Sequence, residues 1–202
     1  MKNNRLFIIG ASGHGKVVAD IALLNGYTDI AFLDDNESLT ECAGWPVIGK
    51  TKEAPDGEVF IAIGNSTIRK QLLELYSDRT VPVLIHPNAV IARDVQIGKG
   101  TVVMAGAIIN SGSIVGKGVI VNTSSSIDHD CFVGDYSHIS VDAHLCGTVV
   151  LGDRVWVGAG AIVINNIGIC GDCTIGAGAV VVNAIEESGT YFGVPAKKYK
   201  SD

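Results

Sequence analysis

Residues 91–109 read IARDVQIGKGTVVMAGAII, and within them Ile91, Ile97, Val103 and Ile109 fall six residues apart. The series runs on through Val115, Val121, Ile127, Val133, Ile139, Leu145, Leu151, Val157, Val163, Ile169, Ile175 and Val181, and Ile85 extends it backwards. Four residues after each aliphatic comes a small or aliphatic side chain, among them Thr101, Ala107, Ser113, Ser125, Cys131, Ser137, Ala143, Ala161 and Ala179. Glycine often follows the aliphatic directly, as at Gly98, Gly116, Gly134, Gly152, Gly158 and Gly176. A period of six matches neither an amphipathic helix at 3.6 nor a half-buried strand at 2. It matches a hexapeptide solenoid, a parallel β-helix that stacks one aliphatic ladder inside. A sandwich of evenly spaced strands would need units of about 8–12 residues.

Upstream of the solenoid the pattern changes. Arg5–Ile9 reads as a buried parallel strand leading into the loop Gly10-Ala-Ser-Gly13-His14-Gly15-Lys16, and Val17–Leu24 has helical spacing with Gly26 as its stop. Asp29–Leu33 reads as a second strand ending in Asp34-Asp35, and Glu58–Ile63 as a third ending in Gly64-Asn65. Ser66–Tyr76 reads as a second helix and Val81–Ile85 as a fourth strand. Alternating strands and helices predict a small α/β, Rossmann-like domain over residues 1–84, followed by the all-β solenoid over residues 85–202. Pro87 punctuates the junction, and the absence of a long linker predicts a rigid join.

The glycine loop has a physical meaning. A strand, a Gly-rich turn and a helix N-terminus present backbone N–H groups and a positive dipole end, which suit a diphosphate. The order G-x-x-G-x-G differs from the dinucleotide fingerprint G-x-G-x-x-G, so the loop does not read as an NAD site. Asp34 and Asp35, at a strand's carboxyl end, can accept hydrogen bonds from ribose or sugar hydroxyls. Together these features read as a nucleotide or nucleotide-sugar site, with His14 as a ligand contact.

Composition narrows the classes. A hydrophobic fraction of 47% supports a sizeable core, and a net charge of −6 argues against a nucleic-acid binder. No apolar run approaches the roughly 20 residues of a membrane span, so no membrane insertion is expected. The run Leu6-Phe-Ile-Ile9 is too short for a signal-peptide core, which predicts a cytoplasmic protein. Five cysteines, an odd number, predict reduced thiols. Cys170 and Cys173 have redox or zinc spacing, but Cys173 and Cys131 both take the small inward position of their hexads, which favours packed thiols over a metal site.

The hexads Ile127-Asp-His129-Asp130-Cys-Phe and Val133-Gly-Asp-Tyr-Ser-His138 carry the candidate chemistry. With Ile127, Cys131, Val133 and Ser137 inward, His129, Asp130 and His138 project outward. A histidine beside a carboxylate can act as a general base near neutral pH. Three hexads make one coil, so Gly147 stacks over His129, where a glycine leaves space for a thin substrate arm and offers an unobstructed N–H.

The solenoid, the Gly-Ala-Ser-Gly-His-Gly loop, Asn122-Thr-Ser-Ser-Ser-Ile-Asp-His129-Asp130 and the closing Phe192-Gly-Val-Pro195-Ala-Lys together resemble bacterial sugar acyltransferases of the left-handed β-helix class. Within that class the chain is most similar to the UDP-4-amino-sugar N-acetyltransferases of the bacillosamine pathway, with sialic acid O-acetyltransferases as siblings. The resemblance covers almost the whole chain. It implies a homotrimer with acetyl-CoA, a co-substrate and not a resident cofactor, in grooves between adjacent solenoids. It implies His129 as general base, Asp130 as the group that raises its basicity, His138 on the thioester carbonyl and the Gly147 amide near the acetyl group. Ala159, Ala177 and Lys197, with Lys198 and Lys200, are the further coenzyme A contacts it implies. Ser12, Gly13, His14, Asp34, Asp35, Gly64 and Asn65 would then hold a UDP-amino sugar.

Three other readings stay open from sequence. One is an O-acetyltransferase. Another is a zinc hydratase of the γ-carbonic anhydrase type, in which His138 and His144 would serve a metal shared between subunits. The last is a non-enzymatic scaffold that binds a sugar nucleotide.

Overall fold

The apolar run Leu6–Ile9 becomes the middle strand of a three-stranded parallel sheet and is fully buried, as a strand covered on both faces must be. The structure, a computed structural model, describes residues 4–199. Strand β1 (Arg5–Ile9) pairs with β2 (Asp29–Leu33) on one side and with Glu58–Ile61 on the other. Helix α1 (Gly13–Leu24) follows β1, and a two-rung hairpin, β3 (Glu41–Cys42) and β4 (Trp45–Pro46), precedes that third strand, β5 (Glu58–Ile61). Helix α2 (Ser66–Leu75) follows β5 and is capped by Asn65, whose Oδ1 accepts the Ile68 N–H at 3.0 Å.

Two sequence expectations change here. Helix α1 begins at Gly13 and not at Val17, with Ser12 as its extended N-cap residue. Half of the expected glycine loop is therefore helix. Gly15 explains why: a Cβ there would strike the Gly10 carbonyl oxygen, so only glycine lets the helix start this close to the strand end. The stretch Val81–Ile85 is no fourth strand of this sheet, because only Leu84–Ile85 is extended and Pro82 lacks the N–H that an interior strand needs. The chain divides into compact units between His86 and Pro87, whereas the sequence suggested Leu84 and Ile85. Asn25 holds Ile85 to the first unit by donating to its carbonyl at 2.7 Å and accepting its N–H at 3.1 Å.

The second unit is the solenoid. Its strands are mostly two residues long and pair in parallel with the strand eighteen positions away, as in Ile109↔Ile127↔Leu145↔Val163↔Val181. Three sheets result. The first holds Val90–Ile91, Ile108–Ile109, Ser126–Ile127, His144–Leu145, Ile162–Val163 and Val180–Val181. The second holds Gln96–Ile97, Ile114–Val115, Phe132–Val133, Val150–Leu151 and Gly168–Ile169. The third includes Val102–Val103, Ile120–Val121, His138–Ile139, Trp156–Val157 and Cys173–Ile175, and continues through Gly189–Phe192.

From Ile109 to Val181 the six-spaced aliphatics are buried, and they form the core. The small residues four positions on are buried as well, and their hydroxyls serve the corners: Ser113 donates to the Asp128 carbonyl at 2.7 Å and Ser137 to the Gly152 carbonyl at 3.1 Å. At each corner one residue takes a left-handed conformation, glycine at 106, 112 and 118 but Ser124, Asp130, Tyr136, Asp142 and Thr148 farther on. No described helix is long and apolar enough to cross a membrane.

Candidate active site

His129 and Asp130 sit on the corner between the first and second sheets. Asp130 occupies the left-handed position (φ 56°), a conformation aspartate tolerates better than most residues. Its Oδ2 lies 2.9 Å from His129 Nδ1. An ionised carboxylate only accepts, so Nδ1 carries the proton and Nε2 keeps its lone pair. The hydrogen bond to Asp130 is the main cause raising the His129 pKa above the ordinary imidazole value, followed by the charge of Asp128. Asp128 is itself fixed, accepting from Asn110 Nδ2 at 2.8 Å and from the His129 N–H at 2.8 Å, and these bonds hold its pKa low.

Gly147 does lie one coil above His129, but the space it leaves is filled by the imidazole and not by a substrate arm. A Cβ on Gly147 would stand 2.5 Å from His129 Nε2. Glycine is required here because the ring folds across the next coil. Around it lies a mostly polar cavity of about 400 Å³, lined by Asp128, His129, Cys146, Gly147, Thr148, Asn165 and Asn166. Of these, Asp128, Thr148, Asn165 and Asn166 escaped the sequence reading, although counting eighteen residues from His129 leads to Gly147 and then to Asn165.

His138 lies elsewhere on the coil, on the outer face of the third sheet. Asn122 Oδ1 accepts the Thr123 N–H at 2.8 Å, which turns its Nδ2 toward His138 Nε2 at 3.0 Å. His138 is thereby the Nδ1–H tautomer when neutral. Its ring is parallel to that of Trp156, with centroids 6.0 Å apart, and Trp156 Nε1 donates to Ser140 Oγ at 2.7 Å. Beside this pair runs an apolar groove of about 420 Å³ whose lining includes Asn122, Trp156, Gly158, Ala159, Gly176 and Ala177. Ala159 and Ala177, expected on the coenzyme A path, thus share a groove with Trp156, which the sequence reading did not single out. They follow the third sheet and belong to a different corner of the triangular coil from His129, so one chain does not unite these residues with the base.

Lys197 is exposed, Lys198 pairs with Glu187 at 2.8 Å, and Lys200 lies outside the described residues. Cys131 and Cys173 are buried thiols; burial raises both pKa values, that of Cys173 to about 12 with help from Cys170, whose Sγ is 3.6 Å away. His144 Nδ1 contacts Ser126 Oγ at 2.8 Å on the first sheet, so His138 and His144 do project from different faces. Among the described residues, no three His, Cys, Asp or Glu side chains of the chain converge as a metal-binding group.

The first unit has its own cavity, of about 560 Å³. Ser12, Asp34, Asp35 and Gly64 line it, together with Gly10, Thr51, Lys52, Gln71 and an apolar wall that includes Ile63, Ile68, Leu72 and Leu75. Asp34 accepts the Ala11 N–H at 2.8 Å and the Asn36 N–H at 2.9 Å; Asp35 accepts both the N–H and the hydroxyl of Thr51, which lowers its pKa. Gly13, His14 and Asn65 are not on the cavity wall. Gly13 and His14 are already in α1, and Asn65 is spent capping α2. The His14 ring is turned inward, where burial above all, and then the charge of Arg69, lower its pKa to about 4. Arg69 is fully buried and donates to the carbonyls of Ile63 and Gly64 at 2.8 Å each, so it braces the cavity floor.

Comparison with known proteins adds to this geometry. A family model described as the PglD N-terminal domain matches residues 5–76. The acetyltransferase domain of PglB from Neisseria gonorrhoeae FA1090, solved in complex with acetyl coenzyme A, is 41% identical with a TM-score of 0.92, covering 98% of this chain and 100% of that one. A histidine-to-asparagine mutant of perosamine N-acetyltransferase from Caulobacter crescentus, solved with CoA and GDP-perosamine, is 35% identical with a TM-score of 0.92, covering 97% of each chain. UDP-N-acetylbacillosamine N-acetyltransferase from Bacillus subtilis (strain 168) is 38% identical over 118 residues, 52% of this chain and 52% of its own. The chain spans about half the length of that curated relative.

Proposed function

The chain belongs to the hexapeptide-repeat N-acetyltransferases of the left-handed β-helix class, and from that footing we propose that it moves the acetyl group of acetyl-CoA onto the amino group of a nucleotide-linked amino sugar. The substrate we favour is a UDP-linked 4-amino-deoxy sugar, with a product of the N,N′-diacetylbacillosamine type. One observation carries the reading: an imidazole whose tautomer is fixed by a carboxylate, with Nε2 open in a polar cavity. The relatives solved with acetyl coenzyme A and with CoA plus GDP-perosamine support the two substrate classes.

In this mechanism the nucleotide sugar occupies the N-terminal cavity, its diphosphate at the start of α1 and its hydroxyls on the Asp34–Asp35 side. Its neutral amine attacks the thioester carbonyl carbon. His129 Nε2 takes the proton that the nitrogen loses as the C–N bond forms, and Asp130 stabilises the imidazolium. The C–S bond then breaks, and the proton leaves with the coenzyme A thiol. The Gly147 N–H and the His138 Nδ1–H are the donors assigned to the acetyl oxygen. Binding both substrates side by side supplies much of the acceleration, and the base adds about 10²–10⁴-fold. No covalent enzyme intermediate is needed, in keeping with the burial of Cys131 and Cys173.

The corner that holds His129 and the groove that holds Ala159 and Ala177 are separate on one chain. A homotrimer that sets the base of one copy beside the groove of the next completes the site. Incubating the protein with a panel of UDP- and GDP-amino sugars and acetyl-CoA, read by thiol release and product mass, tests the proposal. The expected product is heavier by one acetyl group on nitrogen. Thiol release without sugar modification, or acetylation on oxygen, would overturn it.

A further inference from the structure

Asn165 stands in the same cavity as His129, and no part of the mechanism above uses it. The two are linked by the count of the coil: His129, Gly147 and Asn165 occupy one column of one corner, eighteen residues apart. Adjacent coils are about 4.8 Å apart, so Asn165 lies roughly 9.6 Å along the solenoid from His129. Between them is a residue with no side chain. The imidazole crosses Gly147 and directs Nε2 up the column toward the Asn165 level.

The side chain itself is uncommitted. Asn165 is exposed, and its carboxamide has no hydrogen-bond partner among the described residues. Its neighbour contrasts with it. Asn166 takes the left-handed corner conformation, and its Oδ1 accepts the Thr148 hydroxyl, so it has a structural duty. An exposed carboxamide offers one acceptor and two donors, the set that pairs with another amide through its N–H and C=O together.

The direction of the co-substrate follows from the two solenoid cavities. The apolar groove begins at the His129 coil, with Asn122 and Ser140, and rises through Ala159 to Ala177. The polar cavity covers a similar rise, from Asp128 to Asn166. A thioester carbon placed at His129 therefore has its carrier arm leading up the coils, past Asn165. Resting on the acetyl-transfer reading, we propose that Asn165 binds the amide of the coenzyme A arm nearest the sulfur, and so fixes the depth at which the thioester reaches the base. The substrate class it selects is an acyl thioester with an amide close to the sulfur, as distinct from a simple alkyl thioester.

Coenzyme A binding to full-length wild type and to Asn165→Ala, measured by calorimetry, is the first test, because binding needs no turnover. We expect affinity to fall about tenfold, the size of one lost hydrogen bond to an amide. The second test compares two acetyl donors, S-acetyl-N-acetylcysteamine, which keeps that amide, and an S-acetyl alkanethiol of equal length, which lacks it. Wild type should prefer the first about tenfold in kcat/KM; Asn165→Ala should lose that preference by slowing only the first, and Asn165→Gln should restore part of it. The pH profile of all variants should match wild type, which a general disturbance of His129 would not allow. The inference is overturned if Asn165→Ala binds coenzyme A normally, if both donors slow equally, or if wild type binds no coenzyme A. A wild type whose coenzyme A binding depends on Asn165, yet which acetylates no nucleotide amino sugar, supports this inference and refutes the functional proposal instead.

Discussion

Two histidines, one in each unit, have been pushed in opposite directions by their surroundings. His14 is turned into the first unit, where desolvation and the Arg69 charge hold it neutral. His129 is exposed on a solenoid corner, and two aspartates favour its charged form. The cavities around them differ in the same way. In the N-terminal cavity the carboxylates of Asp34 and Asp35 are tied to the protein's own backbone, so the walls are set before a ligand arrives. On the solenoid corner, Nε2 of His129 and the Asn165 carboxamide remain uncommitted. A site whose carboxylates are already anchored presents a fixed wall to its ligand. One with groups held in reserve is suited to chemistry and to a second molecule.

The largest effect is expected when the proposed base is removed. His129→Ala should lower kcat by about 10²–10⁴-fold while leaving nucleotide-sugar affinity unchanged, as measured by steady-state kinetics beside calorimetry. Its side chain is 57% exposed, so the variant should fold and assemble as wild type does. A variant that folds normally and keeps its kcat would show that His129 is not the base.

The reciprocal change is Asp34→Ala. Losing the acceptor for the Ala11 and Asn36 N–H groups should loosen the wall at the start of α1. Nucleotide-sugar affinity should fall on the order of 10–100-fold, with coenzyme A binding intact. Equal losses for both ligands would mean that the two sites are not separable.

Asp130→Asn sharpens the chemical side. The bond to Asp130 raises the His129 pKa, so with His129 as the proposed base wild type should lose kcat/KM as pH falls through a value above the ordinary imidazole range. Without that carboxylate the acid limb should move to lower pH. The plateau should drop by about tenfold, because the base is weaker and its tautomer is no longer held. An unmoved limb in the pH–rate profile would remove Asp130 from the account.

His14 supplies the smallest and most specific effect. Its folded pKa of about 4 lies below the ordinary value of 6.5, so between these values the unfolded chain takes up the proton first. Stability is therefore lost as pH falls from about 6.5 toward 4, amounting to about 2 kcal/mol at pH 5 from this group. Urea unfolding of His14→Gln should show a shallower acid dependence than wild type. Identical slopes would place the imidazole in water.

Most of the solenoid was legible because its evidence is repeated: every sixth residue gives the same answer, and the coil length then places Gly147 over His129. The identity of the space-filler over Gly147 was not legible, since a ring folding back across a coil leaves no periodic trace. The first unit was harder. Thr51, Lys52 and Gln71 reach the cavity from segments with no repeat to index them, and the inward turn of His14 depends on α1 starting early. That start rests on the close approach of Gly15 to Gly10, a contact between backbones that composition cannot reveal. Pro82, by contrast, is a plain sequence signal against a strand through Val81–Ile85.

The six-residue count also makes the solenoid behave like a text with a reading frame. Remove one residue just after His129, and every later slot of the inner ladder receives the next letter: Gly134 for Val133, Ser140 for Ile139, Cys146 for Leu145, Gly152 for Leu151. A lesion of one codon would put a small side chain into most of the later inner slots, whereas an insertion of eighteen adds a coil and leaves the frame intact. Selection on such a chain should therefore tolerate whole-coil duplication more readily than the loss of any single residue between 91 and 181.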